Sequence, residues 1–332
     1  MRYIGSKVST KEIIYDIVSQ YIPSGTFCDP FGGIATMSSY FKSKDFEVHT
    51  SDILTFAHYF QISKLKYDNL PKFKKLFHYL DINTSNDFLL YINNLNPQEG
   101  WFTLSYSIER NFFSIENAQK IEAIRYKIKE WSDSKIIIED EKAFLLASLI
   151  NSVDKVANTA GTYYAYLKGL DRKAARPFKY SFIQPINGNK KATCYQLEAN
   201  ELLETNSYDI VYLDPPYNER NYSRYYHLPE VLAKQIEPKV SGKAGIPKTN
   251  HLNSDFNNRN RSLHSFKQII DNSNFKLLLF QYTDNGLLQK DEIISILESK
   301  GDKVNDFYIN SLGYSTKSQA RSDKHHIYMV KR

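Results

Sequence analysis

A chain of 332 residues, 42% of them apolar, is long enough to bury a large α/β core, and its mean hydropathy of −0.49 excludes a protein built mainly of membrane spans. A net charge of +6 permits a polyanionic partner without requiring one, while two cysteines with no CxxC spacing, Cys28 and Cys194, exclude a disulfide framework and a zinc ribbon. No apolar run approaches the roughly 20 residues of a membrane-spanning helix, and the N-terminal residues lack a signal core, so a cytoplasmic protein without membrane or metal partners is expected.

The first predicted element is a helix over residues 11–22, marked by Ile13, Ile14, Ile17 and Val18 and stopped by Pro23 and Gly25. TFCDPF reads as a strand that runs into Gly32 and Gly33, IATMSSYFK as a helix, and FEVHTSD as a second strand ending in an acid. Together they form a β-α-β unit. From residue 61 to residue 189 the pattern turns helical. Ile121, Ile124, Ile128 and Trp131 share one face of one helix, and Phe144, Leu145, Ala147 and Leu149 mark another. Strands return at ATCYQL, YDIVYLDPP, FKLLLFQYT, DFYINSL and HHIYMVKR, the last two as an edge hairpin. The expected fold class is α/β and Rossmann-like: a mixed sheet of about seven strands over residues 1–60 and 190–332, with a mostly helical insert over 61–189.

The glycine turn sits at the carboxyl end of the first strand, where open α/β sheets bind ligands. Gly32 and Gly33 allow close backbone approach, but no GxxxxGK[ST] pattern is present, so this is not a phosphate loop. An ordinary tight βα turn reads the same way. Asp52, about 20 residues after the turn, stands where such folds contact ribose hydroxyls, and equally where an N-cap would precede ILTFAHYF. A nucleoside ligand without a pyrophosphate satisfies both positions.

With MRYIGSK, DPFGG, SD and DPPY in this order, the chain resembles the adenine-specific DNA methyltransferases of the DPPY family in their alpha motif order, including the methylases of restriction–modification systems. The resemblance covers essentially the whole chain and extends to NERNYSRYYHLPE, LLASLINSVDKVANTAGTYYAYLK and FQYTDNGLL. It implies a methyltransferase fold, S-adenosyl-L-methionine as cofactor, and methyl transfer to N6 of a flipped-out adenine in double-stranded DNA. It also implies a target-recognition role for the insert and a cognate restriction endonuclease acting separately. By the same resemblance Asp214, Pro215 and Tyr217 are catalytic. The cofactor is expected to meet Tyr3, Gly5, Lys7, Asp29, Phe31, Gly32, Gly33, Asp52, Glu198 and Asp214. Lys7 is expected on its carboxylate, and Glu198, by a looser match, on its adenine or alternatively at a helix cap. The turn Gly32-Gly33-Ile34-Ala35 departs from the fuller Gly-x-Gly form, which leaves its geometry open.

The chemistry of the tetrapeptide is consistent with this. The exocyclic amine of adenine is a poor nucleophile, and two acceptors facing its N–H groups stabilise the positive charge that develops on it. The Asp214 carboxylate and the Pro215 carbonyl are two such acceptors, and proline holds the turn without adding a competing N–H. Tyr217 offers a stacking face to a base that has left the duplex. DNA contacts are expected from Asn218, Arg220, Tyr222 and Arg224 after the tetrapeptide, and from Lys155, Lys168, Arg172 and Arg176 in the insert, interleaved with Asn158, Thr159 and Tyr163. A long polar loop with Lys243, Lys248, Arg259 and Arg261 is expected to stay mobile until DNA orders it. STKSQARSDKHH in the last hairpin is a further candidate for backbone contact. His325 and His326 lack ligand-spaced partners, so no metal site is expected. An RNA adenine methyltransferase and a catalytically inactive DNA-binding module are the alternatives.

Overall fold

The β-branched and aromatic runs pair into one seven-stranded sheet: β1 (Thr26–Asp29), β2 (Glu47–Ser51), β3 (Ala192–Tyr195), β4 (Ser207–Leu213), β5 (Asn274–Thr283), β6 (Asn305–Asn310) and β7 (Lys324–Lys331), in the order β3-β2-β1-β4-β5-β7-β6. These positions come from a computed structural model that describes residues 1, 3, 7–248, 252–310 and 324–332. β1 to β5 are mutually parallel where they pair, whereas β7 runs antiparallel to both β5 and β6. β4 and β5 are buried at nearly every position because helices cover both faces of a parallel sheet. The architecture is the Rossmann-like α/β fold expected of a methyltransferase.

Strand order decides where a ligand can bind. From β1 the sheet grows outward through β2 and β3 on one side and through β4 and β5 on the other. Phe27 pairs with Ile210 and Cys28 with Val211, so β1 and β4 end side by side. The chain passes from β1 to β2 on one side and from β4 to β5 on the other, so the order reverses between β1 and β4, and open α/β sheets bind ligands at the carboxyl ends of such a pair. DPFGG leaves β1 there and DPPY leaves β4 there, although about 180 residues separate them in sequence.

Residues 5–61, 186–221 and 252–332 form the sheet unit; residues 1–4, 62–185 and 222–251 form a helical unit. Residues 222–251, expected with the sheet, therefore belong with the helices. The helix His227–Lys234 buries Leu228, Val231, Leu232 and Ala233, Arg125 pairs with Glu237 at 2.9 Å, and the Tyr106 hydroxyl donates to the Gly245 carbonyl. These contacts bind the segment to the helices more tightly than its place in the sequence suggests.

Within the helical unit, the Ile115–Asp133 helix buries Ile121, Ile124, Ile128 and Trp131 as its spacing predicts. The Glu139–Val153 helix is buried from Ala143 to Ile150. An aromatic nucleus joins them to the rest: Phe88 stacks on Phe182 at 5.5 Å, Phe73 lies 6.1 Å from Phe88, and Trp131 closes the group. None of the helices among the described residues is long and apolar enough to cross a membrane.

Residues 154–191 contain no helix or strand, yet they are held in place by two buried asparagines, Asn117 and Asn158, and the half-buried Asn93. Asn158 donates to the carbonyls of Asn111 and Leu167 and accepts from the Asp171 N–H. Asn117 donates to Ala174 and Arg176 and accepts from Phe178, while Asn93 both donates to and accepts from the Tyr180 backbone. An amide side chain can satisfy a donor and an acceptor at once, so it stands in for a missing ladder. Asn158→Ala is expected to leave the Asn111 carbonyl and the Asp171 N–H without a partner, and the Leu167 carbonyl with only the 3.5 Å bond from Asn111, at a cost of about 2–3 kcal/mol. Urea denaturation checks the loss, and faster proteolysis between residues 159 and 176 would locate it.

Candidate active site

β4 carries the chain to Asp214, and Pro215 and Pro216, which lack N–H donors, stop the strand there. The Asp214 side chain keeps 16% of its surface, and its Oδ2 meets Lys7 Nζ at 2.8 Å. Burial pushes the Asp214 carboxyl above its ordinary value, and the Lys7 ammonium opposes that rise. Lys7, expected on the cofactor's carboxylate, is thus the counter-ion of Asp214.

Beside it, β1 ends at Asp29. Ser38 donates to Asp29 Oδ2 at 2.7 Å, while Oδ1 is buried and has no hydrogen-bond partner among the described residues. Burial above all pushes this carboxyl up to about 7. Ser38 opposes the shift, and the neighbouring Asp214 and Asp52 charges add to it.

The turn after Asp29 explains its two glycines. A Cβ on Gly32 would lie 2.1 Å from Thr50 Oγ1 and 2.9 Å from Gln61 Nε2, so only glycine fits against these two groups. Gly33 has φ +49°, in the left-handed region, and donates its N–H to Asp52 Oδ2 at 3.1 Å. Gln61 donates to the Gly33 carbonyl, and the Gly32 N–H donates to Ser51. Asp52 also accepts from the Leu54 N–H. It therefore braces both the glycine turn and the entry to the Thr55–Gln61 helix. Of the two sequence readings of Asp52, the bond from Leu54 agrees with the one at the helix entry. Glu198 occupies the N-cap position of the Ala199–Glu204 helix without a side-chain cap hydrogen bond. Partial desolvation and the nearby Asp255 and Glu201 carboxylates raise its pKa.

Phe31 and Tyr217 are half-buried and pack against the same apolar cluster, with Phe31 edge-on to Phe256 at 5.4 Å. Past Tyr217 the chain is fixed by Asn257, whose amide donates to the carbonyls of Asn218 and Arg220 at 2.7 and 2.9 Å. Phe256 and Asn257 are buried. The part of the polar loop beyond residue 251, expected to be mobile, is therefore anchored: a two-donor amide and an aromatic side chain tie it down. Arg261 pairs with Asp255 at 3.0 Å.

The other candidates fall elsewhere. Tyr3 belongs to the helical unit, where it stacks on Tyr226 at 5.0 Å. Gly5 and the loop residues 315–323 lie outside the described residues. Arg220 is exposed in the sheet unit; Arg224, Lys155, Lys168, Arg172, Arg176, Lys243 and Lys248 are exposed on the helical unit, and Tyr222 is half-buried there. Asn158, Thr159 and Tyr163, read from the sequence as facing DNA, are instead buried and structural. Ser38, Gln61 and Asn257 were not picked out from the sequence. Ser38 and Gln61 leave a faint trace as polar residues on apolar helical faces, but Asn257 leaves none within an Asn-rich stretch.

Taken as a donor set, the site holds the carboxylates of Asp29, Asp52, Glu198 and Asp214 against the single cation of Lys7. Such a set suits a ligand bearing positive charge and hydroxyls, and it repels a pyrophosphate. The unpartnered Asp29 oxygen and the close-packed Gly32 cradle fit S-adenosyl-L-methionine, which carries an ammonium, a sulfonium and ribose hydroxyls.

The family model for D12 class N6 adenine-specific DNA methyltransferase matches residues 3–286. The chain is 34% identical over 314 residues to type II methyltransferase M.FokI of Planomicrobium okeanokoites, covering 91% of this chain and 47% of that protein. It is 30% identical over 305 residues to modification methylase StsI of Streptococcus sanguinis, covering 90% and 46%. To type II methyltransferase M.NlaIII of Neisseria lactamica it is 31% identical over 309 residues, covering 91% and 89%. The chain thus spans about half the length of the first two relatives and most of the third. Lys7→Met removes the one cation paired with Asp214 among the described residues, so the Asp214 carboxyl is expected to titrate at higher pH than in the unaltered protein. Carboxyl-labelled NMR titration reads that shift, and an unmoved midpoint would show that the ion pair does not control Asp214.

Proposed function

Because the chain belongs to the D12 class of N6 adenine-specific DNA methyltransferases, we propose that it methylates N6 of an adenine turned out of a specific sequence in double-stranded DNA, as the modification enzyme of a restriction–modification system. The observation that carries this reading is the pairing of β1 with β4. It sets the Gly32-Gly33 turn and the orphaned Asp29 oxygen beside Asp214-Pro215-Pro216-Tyr217.

When bound, S-adenosyl-L-methionine supplies a methyl group on a positively charged sulfur. Asp29 and Asp52 offer acceptors to the ligand's cationic and hydroxyl groups, and Phe31 offers an apolar wall. Asp214 and the Pro215 carbonyl accept hydrogen bonds from the two N6–H groups, which directs the nitrogen lone pair toward the methyl carbon. Positive charge builds on N6 as the methyl arrives, and the Asp214 carboxylate stabilises it there. Burial has raised the affinity of Asp214 for a proton, so the same carboxylate takes up the N6 proton afterwards. Lys7 offsets the cost of keeping Asp214 ionised before the base enters. Tyr217 stacks on the extruded base, which offsets part of the few kcal/mol needed to unstack it. The exposed cations Lys155, Lys168, Arg172, Arg176, Arg224, Lys243 and Lys248 on the helical unit, together with Arg220, supply phosphate contacts, with the helical unit reading the target. A cognate endonuclease acts separately on the unmodified sequence.

The test is methyl transfer from labelled S-adenosyl-L-methionine to unmethylated duplex DNA, with structured RNA as the control and long-read sequencing to map the modified adenines. Label on duplex DNA alone supports the reading; label on RNA alone, or on neither, refutes it. Asp214→Ala is expected to lower transfer by about a thousandfold or more while cofactor affinity falls less than about tenfold. Asp29 adds a pH signature. With its carboxyl near 7, a cationic ligand favours the ionised form, so binding releases protons near neutrality and affinity falls as pH drops below about 7. Calorimetry between pH 6 and 8 should show tighter binding at the higher pH, and Asp29→Asn should flatten the dependence.

A further inference from the structure

Two adjacent histidines on β7 are not used by the reaction as described. Strand alternation sends their side chains to opposite faces. His326 lies between two carboxylates, with Nδ1 at 2.7 Å from Asp306 and Nε2 at 2.9 Å from Asp284, and its ring stacks on Tyr328 at 5.5 Å. This arrangement ties β7 to β6 and to the turn after β5, and so sets the rotation of the strand. On the other face, His325 is buried at 8% exposure, and its ring meets that of Tyr217 at 83° with centroids 6.0 Å apart.

Tyr217 has a second neighbour of the same kind. Tyr282, on β5, also stands perpendicular to it, at 84° and 6.5 Å. The Tyr282 hydroxyl accepts the N–H groups of Leu287 and Leu288, and the Leu287 N–H also reaches the Tyr217 carbonyl at 3.2 Å. A Cβ on Gly286 would fall 2.2 Å from the Tyr282 ring, so the glycine lets this turn close onto the tyrosine. Backbone and ring of Tyr217 are thus held by β5, β7 and the turn that follows β5.

We propose that His325 is a positioning residue for Tyr217: with Tyr282 it flanks the Tyr217 ring at right angles and fixes the plane on which the extruded base stacks. This inference rests on the methyltransferase reading above. A ring that is to accept a base must have its tilt restricted, and two perpendicular rings in contact with it impose that restriction. If the stacked base shifted by about 1 Å, N6 would leave the line of attack, and rate would be lost in the chemical step more than in binding.

The experiment uses the full-length protein with His325→Ala and His325→Phe. His325→Ala is expected to lower kcat for DNA methylation about tenfold with KM for S-adenosyl-L-methionine within about twofold. His325→Phe, which keeps a flat ring of similar width, is expected to recover most of that loss. An unchanged kcat in His325→Ala would overturn the proposal. So would a loss shared by both variants together with a lowered melting temperature, which would mark a purely structural role. A second readout needs no turnover: 3-fluorotyrosine placed at position 217 should show a fluorine resonance that moves in His325→Ala and returns toward its original position in His325→Phe. An unmoved resonance also overturns the proposal. If the unaltered protein methylates no DNA, the methyltransferase reading fails, while the fluorine resonance still decides whether His325 sets the Tyr217 ring.

Discussion

Burying carboxylates beside one another is costly, and the sheet unit places Asp29, Asp52 and Asp214 within reach of each other's charge. Three different devices make this tolerable. Asp214 has an ammonium partner in Lys7, Asp52 is held by backbone N–H groups of the turn it braces, and Asp29 shares a hydroxyl with Ser38 and holds its proton up to about pH 7. Asp29 retains a buried oxygen without a partner among the described residues. The negative potential that this cluster creates selects the ligand, because a cation relieves it and an anion worsens it.

The sheet is the means of assembling that cluster. Asp29 ends β1 and Asp52 follows β2, both early in the chain, whereas Asp214 follows β4 after the whole helical insert. Parallel pairing aligns the carboxyl ends of neighbouring strands, so acids distant in sequence meet on one rim. The helical unit meets a different requirement. Its long segment after residue 153 carries exposed cations, and an extended polar segment holds a fixed shape only if its backbone groups find partners. The amides of Asn93, Asn117 and Asn158 supply most of them, with one isolated bridge between Thr159 and Tyr166.

What could be read from the sequence follows from the range of the interactions involved. The seven strands of the main sheet, the glycine turn and the DPPY turn are local patterns, each written within about ten residues, and were legible, whereas the short hairpin Val240–Ser241 with Ile246–Pro247 was read as polar loop. The left-handed Gly33 and the crowding at Gly32 agree with a turn that needs two glycines. The partner of Lys7 was not legible, because the pairing joins segments with no shared pattern and a lysine near a cofactor motif suits either acid. Residues 222–251 looked like a continuation of the catalytic strand because a sequence boundary cannot show that Tyr106 and Arg125 bind them from a distance. Asn158 and Tyr163 resembled a polar and an aromatic contact for DNA, yet burial turned the one into a backbone brace and the other into core. Polar residues that serve the interior have no signature that separates them from those on a surface.

The position of β7 also bears on how the sheet comes into being. It is the last strand in sequence, but it lies between β5 and β6, so β6 has no neighbour in the sheet until β7 has been synthesised. A chain emerging from the ribosome would therefore expose the hydrogen-bonding edge of β5, ten residues long with the apolar run Leu277–Phe280 at its middle, for as long as β6 and β7 were still being made. Such an edge invites pairing with other chains. The sheet is thus most vulnerable to aggregation in the interval between the synthesis of β5 and that of β7, when most of its core is already in place.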